Sequence, residues 1–339
     1  MHPELFEIPF IHLTIKSYAL MMVIAFLLAL FLIRHLSRRI TPDPHLITNA
    51  SLYSLIGGVV GARLFYVVHY FDHFRGKLLS VFSIWQGGLE FYGGVILAIV
   101  VIFFYLCYHK FYVRRYEVHI RSYFDILAIG LMLALVFGRI GCFLNGCCQG
   151  KPTEMSLAVR FPYNSFAYIR QVNAHDEKTD GPDRQLNLPR EYFSYVDKKG
   201  VWYPKPYKDL TEEQKEKLKK EDIYRSLPVY PTQLYSSGAA GLLCLILYLF
   251  WRRSQNAADS KGHIRLFARP GCTFSLMLIL YGITRFFIEF IRDDNPLEYG
   301  WWAIYKGVTV SQNLAIYTTI FGVVLMVIFQ KMKPKALKS

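Results

Sequence analysis

Arg139 is the residue whose position most constrains the chemistry of this sequence. It lies in the glycine-rich segment 138–150, which closes an apolar run that begins near Ile126 and is long enough to cross a bilayer. An ionisable side chain at that depth costs about 2.5–3.5 kcal/mol on insertion scales, so a polar or anionic partner has to meet it. The same segment contains Asn145, a second polar residue near the membrane. The segment therefore predicts a functional site.

A second intramembrane cation, Arg285, stands between Tyr281 and Glu289 in another apolar stretch. The three residues are spaced by four, which places them on one face of a helix. Within lipid that face must point into the helix bundle, because acyl chains do not solvate charged groups. A purely structural Arg285–Glu289 pair is the alternative, and Arg139 as a second cation facing the same space favours a ligand.

A further glycine-rich segment, residues 85–94, contains two glycine pairs around Glu90 and Tyr92. It stands at the start of an apolar run, where the free N–H groups of a helix N-terminus favour an anion. The alternative interpretation is a re-entrant turn in which the glycines serve only packing. The segment alone is a moderately specific signal.

Residues 230–235 open another apolar run with Pro231 in the first helical turn, where its missing N–H has no intrahelical partner to lose. Gln233 and Tyr235 could donate hydrogen bonds to a lipid headgroup. Interfacial anchoring of an aromatic side chain explains Tyr235 equally well.

Two arginines and a glycine-rich anion site together predict a ligand with a phosphate at headgroup level and acyl chains reaching into the bundle. A guanidinium suits a phosphodiester better than an ammonium, because it donates two parallel hydrogen bonds. The sequence shows no P-loop and no Ser-His-Asp order, and we expect neither a metal nor a cofactor. Cys142, Cys147 and Cys148 lack the spacing of a zinc site and are interpreted as small apolar helix residues.

Seven apolar stretches have the length of a membrane span. They lie at about 16–36, 50–70, 92–108, 124–147, 232–251, 272–291 and 312–330. With 53% apolar residues, they predict an all-α integral membrane protein of about seven transmembrane helices. The second stretch is the weakest, since polar residues that include Arg63 and His69 interrupt it.

Lysines and arginines in the short connections alternate in phase with the crossings, sixteen on one side against four on the other. By the positive-inside rule the N-terminus lies outside and the C-terminus is cytoplasmic. This bias accounts for most of the net charge of +14. Nucleic-acid binding is disfavoured, because it requires basic residues gathered on one soluble module.

The predicted organisation has three parts. Residues 1–150 form transmembrane helices one to four with the glycine-rich segment, and 232–339 form helices five to seven with a basic cytoplasmic tail. Residues 151–231 form a polar extracytoplasmic head, with a turn at 180–183 and a capped helix from Thr211 to about Glu221. The head contains no cysteine, which excludes a disulfide framework there.

These segments resemble those of the bacterial prolipoprotein diacylglyceryl transferases. Residues 138–150 match the family signature Gly-Arg-Ile-Gly-x-Phe-x-Asn-Gly-x-x-x-Gly at every position, and 281–289 match Tyr-Gly-x-x-Arg-x-x-x-Glu. Residues 230–236 match His-Pro-(Ser/Thr)-Gln-Leu-Tyr-Glu except at both ends. Residues 17–20 correspond to Trp-Tyr-Gly-Leu, and 311–312 to a glutamine-bearing start of the last span. The resemblance covers all seven spans but little of the head.

The resemblance implies a reaction. The diacylglyceryl group of phosphatidylglycerol passes to the lipobox cysteine thiol of a prolipoprotein, which forms a thioether and releases glycerol phosphate. This is the first step of bacterial lipoprotein maturation, in the inner (cytoplasmic) membrane. The implied catalytic residues are Tyr92, Arg139, Arg285 and Glu289. The implied phosphatidylglycerol-binding residues are Tyr18, Arg139, Asn145, Gly150, Gln233, Tyr235, Tyr281 and Arg285.

Several positions depart from the family pattern. Tyr92 stands where the family often has histidine; neutral imidazole is a plausible base, whereas tyrosine, with a pKa of about 10, is mostly protonated at neutral pH. Glu90 is a carboxylate that could substitute for it. Further departures are Cys142, Cys147, Tyr230 and Ser236.

These departures leave open a divergent paralogue with an altered lipid or acceptor substrate. Two other classes of protein also place arginines inside a helix bundle. One is an anion transporter, although the inverted repeats typical of that class are not visible in the sequence. The other is a non-catalytic lipid-binding membrane protein that uses the head as an interaction surface.

Overall fold

A computed structural model shows a predominantly helical chain. It describes residues 4–8, 13–40, 44–74, 80–81, 88, 90–113, 120–173, 186, 188–196, 201–255, 267, 269–293, 297–298 and 303–332. For residues 4–8, 13–16, 72–73, 91–92 and 297–298 the description covers the backbone alone. The predicted turn at 180–183 and most of 85–94 lie outside the described residues.

The helices are α1 (Ser17–Ser37), α2 (Pro44–His69), α3 (Phe71–Phe74), α4 (Phe91–Tyr108), α5 (Ile120–Asn145), α6 (Phe166–Val172), α7 (Glu212–Lys220), α8 (Thr232–Gln255), α9 (Cys272–Glu289) and α10 (Val310–Lys331). A π-helical turn, His109–Val113, continues α4, and 3-10 turns occupy Arg190–Tyr192 and Tyr207–Asp209. Three antiparallel hairpins pair β1 (Glu4–Ile8) with β2 (Leu13–Lys16), β3 (Phe193–Val196) with β4 (Trp202–Pro204), and β5 (Leu297–Glu298) with β6 (Val308–Thr309).

Among the described residues, seven helices are long and apolar enough to cross a membrane, which confirms the predicted class of an all-α integral membrane protein. They are α1, α2, α4 with its π-helical turn, α5, α8, α9 and α10. Each overlaps one of the seven predicted stretches. The largest shift is at α2, which begins at Pro44 rather than near residue 50.

The chain divides into two compact units, one of residues 29–130 and one of residues 1–28 with 131–339. In the unit of 29–130, α2 and α4 approach closely through glycines. A Cβ atom added at Gly57 would lie 2.7 Å from Val101 Cγ2, and one at Gly61 would lie 2.5 Å from the carbonyl oxygen of Gly93. Gly57 and Gly61, spaced by four as in a small-residue packing motif, therefore allow the close contact of these two helices.

Arg63 explains how the weakest predicted span tolerates a charge. Its side chain is 7% exposed and donates hydrogen bonds to the carbonyl oxygens of Ser80 at 2.6 Å, Val81 at 2.7 Å and Gly88 at 3.0 Å. The guanidinium also lies 5.6 Å from the ring centre of Tyr66. Arg63 thus holds the chain just before α4, and satisfied donors offset the cost of burying its charge.

In the unit of 1–28 and 131–339, α9 packs against α10 through small residues. A Cβ atom at Gly322 would lie 2.9 Å from Leu278 Cβ, and one at Gly282 would lie 2.7 Å from the carbonyl oxygen of Ala315. The backbones of α9 and α10 therefore lie in close contact at Gly282. This contact positions the last turns of α9, which carry Arg285 and Glu289.

The insertion between α5 and α8 has its own small core. Tyr168, Val172, Leu186, Leu188, Tyr192, Leu210 and Leu218 are buried together. The predicted capped helix is confirmed as α7, with Thr211 and Gln214 forming a reciprocal capping box. The two ends of the insertion meet, because the Gly150 N–H donates to the Tyr230 carbonyl and the Tyr230 N–H donates to that of Lys151, each at 3.1 Å.

Candidate functional site

Arg139 and Arg285 line one pocket formed by α5, α8 and α9. Its lining residues are Leu135, Arg139, Ser236, Ala239, Ala240, Leu243, Tyr281, Thr284, Arg285 and Ile288. The pocket is mostly apolar with a few polar groups, which suits an amphipathic ligand. All of its residues belong to the unit of 1–28 and 131–339.

The Arg285 guanidinium is fixed by neighbours on two helices. Its Nη1 lies 2.7 Å from Glu289 Oε2, one turn along α9, and its Nη2 donates a 3.0 Å hydrogen bond to Ser311 Oγ on α10. The side chain of Arg285 is only 16% exposed. Arg285 and Glu289, four residues apart on α9, therefore share one helix face, as the sequence predicts.

Glu289 connects this arginine to two further residues. Thr309 Oγ1 donates to Glu289 Oε1 at 3.0 Å, and Arg292 Nε lies 3.7 Å from Oε2. Thr309 also caps α10 by accepting from the Gln312 N–H at 3.2 Å, while Gln312 Oε1 accepts from the Thr309 N–H at 2.9 Å. The start of α10 therefore positions the carboxylate that holds Arg285. Neither Thr309 nor Arg292 is predicted as a site residue from the sequence. Arg292 follows the motif of residues 281–289, and Thr309 precedes residues 311–312.

Two cations line the pocket, and one acid pairs with one of them. Arg139 and Arg285 line it, and Glu289 lies beside Arg285. A surplus of positive charge held among helices that can cross a membrane is costly unless an anion compensates it. The arrangement is therefore suited to bind a phosphate group.

The segment 138–150 is half helix and half loop. Helix α5 ends at Asn145, and the chain turns through Gly146 and Cys148 with positive φ angles of 71° and 58°. Interpreting all three cysteines as helix residues was therefore wrong for Cys147 and Cys148. The sequence places Gly146 at the turn, where its freedom at positive φ ends the helix.

Residues at the start of α8 hold this loop. Gln233 Nε2 donates to the Cys147 carbonyl at 2.7 Å, and Thr232 Oγ1 donates to that of Cys148 at 2.8 Å. Gln233 is 1% exposed, so its amide nitrogen already has a protein acceptor. The observed contact makes Gln233 a positioning residue for the loop, and its predicted contact with a lipid headgroup stays a prediction.

Gly150 also has a structural role in the observed contacts. A Cβ atom there would lie 2.6 Å from Tyr230 Cβ and 2.8 Å from the carbonyl oxygen of Ile291. Because its N–H donates to Tyr230, the three segments meet at a point where only glycine fits.

The remaining predicted binding residues of this unit lie near the pocket segments. Tyr18, 38% exposed in the first turn of α1, is close enough to Gly141 that a Cβ atom there would lie 3.3 Å from its ring. Asn145 is half-buried as the last residue of α5. Tyr235 is half-buried in the first turn of α8. Their substrate contacts remain predictions.

The predicted base Tyr92 belongs to the other unit, where it is the second residue of α4. Nearby, Glu90 Oε1 lies 2.6 Å from His69 Nδ1, and the Glu90 N–H donates to the Ala62 carbonyl at 2.9 Å. A histidine held by a carboxylate is a common form of general base. In the sequence, His69 stands out only as a polar interruption of the second span, and nothing in its position predicts this pairing.

The seven candidate spans define a multi-pass α-helical membrane protein, in which two arginines line one pocket. The family profile described as "Prolipoprotein diacylglyceryl transferase" matches residues 3–328, and the chain belongs to that family.

Relatives named phosphatidylglycerol–prolipoprotein diacylglyceryl transferase occur in several bacteria. That of Buchnera aphidicola (strain APS) is 28% identical, over 92% of this chain and 90% of its own. That of Rhodospirillum rubrum is 27% identical, over 98% and 94%. That of Clostridium tetani is 24% identical, over 95% and 96%. Since the similarity extends over nearly the full length of each protein, it includes the segments that form the pocket.

Proposed function

We propose that this protein transfers the diacylglyceryl group of phosphatidylglycerol to the lipobox cysteine of a prolipoprotein. The observation that carries the proposal is the pocket shared by Arg139 and Arg285, in a chain of this transferase family. Its bacterial relatives and seven candidate spans support a place in the cytoplasmic membrane. The positive-inside charge pattern supports an outward-facing N-terminus.

The reaction is a displacement at a saturated carbon. The thiolate sulfur attacks the phosphate-bearing carbon of the diacylated glycerol. The bond from this carbon to the phosphate oxygen breaks, and its electron pair leaves with glycerol phosphate. The thiol proton passes to a base. The sulfur–carbon bond that forms is a thioether, and no electrons are gained or lost overall.

The charge of the pocket suits this leaving group. The phosphodiester of phosphatidylglycerol carries one negative charge, and the released phosphate monoester carries about −1.5 to −2 at pH 7. The positive charges of Arg139 and Arg285, which line the pocket, therefore stabilise the products and the transition state more than the bound lipid. Such fixed charges, aimed at the charge that develops, are the usual source of catalysis in dry sites.

Each residue then has a distinct role. Arg139 and Arg285 bind the phosphate, and Glu289 with Ser311 orients Arg285. Tyr18 and Tyr281 contact the headgroup, as do Asn145 and Tyr235. Gln233 and Gly150 hold the loop that follows Asn145. Tyr92 is the proposed proton acceptor, with Glu90 and its partner His69 as the alternative.

The decisive experiment uses purified protein in vesicles that contain phosphatidylglycerol, with a synthetic lipobox peptide as acceptor. We expect a diacylglyceryl mass gain on the peptide cysteine and release of glycerol phosphate. Arg139→Ala and Arg285→Ala should each abolish both signals, whereas Arg253→Ala, at an exposed site near the end of α8, should not. Wild-type turnover by Arg139→Ala would refute the assignment.

The same assay separates the other classes of protein. Lipid binding without a mass gain would favour a non-catalytic lipid-binding protein, and flux of an anionic solute into the vesicles would favour a transporter. A gain that requires another lipid in place of phosphatidylglycerol would indicate an altered substrate.

The proton acceptor needs a separate comparison. If Tyr92 takes the proton, Tyr92→Phe loses activity while Glu90→Gln and His69→Gln retain it. If the His69–Glu90 pair takes it, the pattern reverses, and the acidic limb of the pH–rate profile shifts in Glu90→Gln.

A further inference from the structure

Three thiols converge at the end of α5, where the spacing of the cysteines gave no reason to expect a site. The Sγ atoms of Cys142, Cys147 and Cys148 all lie within 4.8 Å of one another. Cys142 is on the helix, and the turn after Asn145 brings the other two back towards it. The Cys147 N–H donates to the Cys142 carbonyl at 3.1 Å, which closes this turn.

The backbone that carries these thiols is fixed from outside. Gln233 and Thr232 bind the carbonyl oxygens of Cys147 and Cys148. Cys148 adopts a φ of 58°, a conformation that costs a residue with a side chain about 1–3 kcal/mol. The surrounding contacts therefore hold the backbone of the loop that carries Cys147 and Cys148 before any ligand binds.

The geometry matches that of a thiolate metal site. Metal–sulfur bonds of about 2.3 Å place the sulfur atoms of one site about 3.7–4.0 Å apart, which small side-chain rotations reach from the observed separations. The three side chains are half-buried. Among the described residues, no histidine, aspartate or glutamate joins this cluster.

The donor set discriminates among metal ions. Three sulfur ligands without a fourth protein ligand suit a soft ion that accepts three-coordination, whereas zinc in structural sites takes four ligands. Three thiolates around a monovalent ion leave two negative charges. Arg139 precedes Cys142 by three residues on α5, which places this cation on the same helix face as the first thiol.

We propose that Cys142, Cys147 and Cys148 form a three-thiolate site for a soft monovalent metal ion of the copper(I) type. Binding replaces three S–H protons, which pass to solvent, with three metal–sulfur bonds, and no oxidation is involved. Metal binding can be measured without turnover, so its test needs no lipid substrate.

The test is an anaerobic titration of the reduced full-length protein in detergent with copper(I), in competition with a chromophoric chelator. We expect one ion per chain and an ultraviolet thiolate-to-copper charge-transfer band. Cys142→Ser and Cys147→Ser should each weaken binding by at least about tenfold, since each removes one of three soft ligands. Cys244→Ser, on α8 and outside the cluster, should bind as the native protein does.

Thermal unfolding keeps the test decisive when a variant folds poorly. Copper(I) should raise the melting temperature of the native protein and of Cys244→Ser, and leave that of Cys142→Ser unchanged, because only a folded site binds the ion. Equal binding by native protein and Cys142→Ser would overturn the proposal. So would a preference for zinc(II) over copper(I) in the native protein, or a disulfide within the cluster that persists under reductant.

Discussion

Glu289 and Arg285 lie one turn apart on α9, and the buried carboxylate approaches the guanidinium to 2.7 Å. Glu289 is 2% exposed and also lies near Arg292, so one buried carboxylate contacts two guanidinium groups. Removing one member of a buried ion pair is costly, because the remaining charge is left uncompensated. The pair is therefore the point at which stability and chemistry are most closely linked.

Replacing Glu289 with glutamine should impair catalysis. The variant keeps the size of the side chain but loses charge-assisted contacts worth about 1.5–3 kcal/mol, which corresponds to about 10- to 100-fold in turnover. Glycerol phosphate release measures the effect. The matched control is Glu212→Gln, whose side chain is 86% exposed in the head. A double-mutant cycle with Arg285→Gln should show strong coupling, and additive losses would contradict the pairing.

Replacing Gln233 with leucine should destabilise the loop of 146–150. The change removes the donor to the Cys147 carbonyl, and leaving a buried acceptor without its partner costs about 1–3 kcal/mol. The melting temperature in detergent should fall, and transfer activity should fall with it. Gln255→Leu, at the exposed last residue of α8, serves as control. A native melting temperature for Gln233→Leu would contradict the positioning role.

Gly150→Ala and Gly238→Ala form a matched pair. At Gly150 the new methyl group would press on backbone carbonyls at 2.7 and 2.8 Å, and such overpacking typically costs about 1–3 kcal/mol. At Gly238, on α8, nothing lies within 4 Å, and a helical alanine should be neutral or stabilising by up to about 1 kcal/mol. Melting temperatures should fall for the first variant only. Equal melting temperatures would show that the segments can separate.

Arg63→Lys tests the unit of 29–130. An ammonium keeps the charge but does not reproduce the fork that reaches three carbonyl oxygens, so the chain just before α4 should loosen. Limited proteolysis between α3 and α4 should then be faster in full-length Arg63→Lys than in the native protein. Arg253→Lys, exposed on α8, should leave the cleavage rate unchanged. An unchanged rate in Arg63→Lys would indicate that the carbonyl contacts are not needed.

The head should lose stability in alkali. Burial raises the pKa of Tyr168, whose hydroxyl donates a 2.6 Å hydrogen bond to the Ile223 carbonyl. A raised pKa in the folded state means that the stabilisation is complete below about pH 10 and is lost as pH rises through the folded-state value. A pH titration followed by tyrosinate absorbance should show tyrosines that ionise above the usual pH range. Tyr168→Phe should show one fewer of them than the native protein. Tyr195→Phe, 58% exposed, should leave their number unchanged.

Length and hydropathy were sufficient to predict the membrane helices, because these two properties alone define a candidate span. The spacing of Tyr281, Arg285 and Glu289 also correctly predicted a common helix face. Both features depend on residues close together in the chain, so a single sequence contains the information needed to predict them.

Contacts between distant segments were not predictable in the same way. Thr309 and Ser311 reach α9 from α10, and His69 reaches Glu90 across a glycine-rich connection. The convergence of the cysteines depends on a turn at positive φ, which follows from where the helix ends rather than from cysteine spacing. In each case the partner is set by tertiary packing, and a single sequence carries little information about it.

The hydrogen bonds that join Gly150 to Tyr230 have a consequence for evolution and engineering. Because the chain leaves α5 and returns to α8 at nearly the same point, the distance between these helices does not depend on the length of what lies between. Extending such a loop adds only a slowly growing entropic cost. Related enzymes are therefore free to shorten, lengthen or exchange this part, and a foreign domain inserted there should leave the catalytic helices in register.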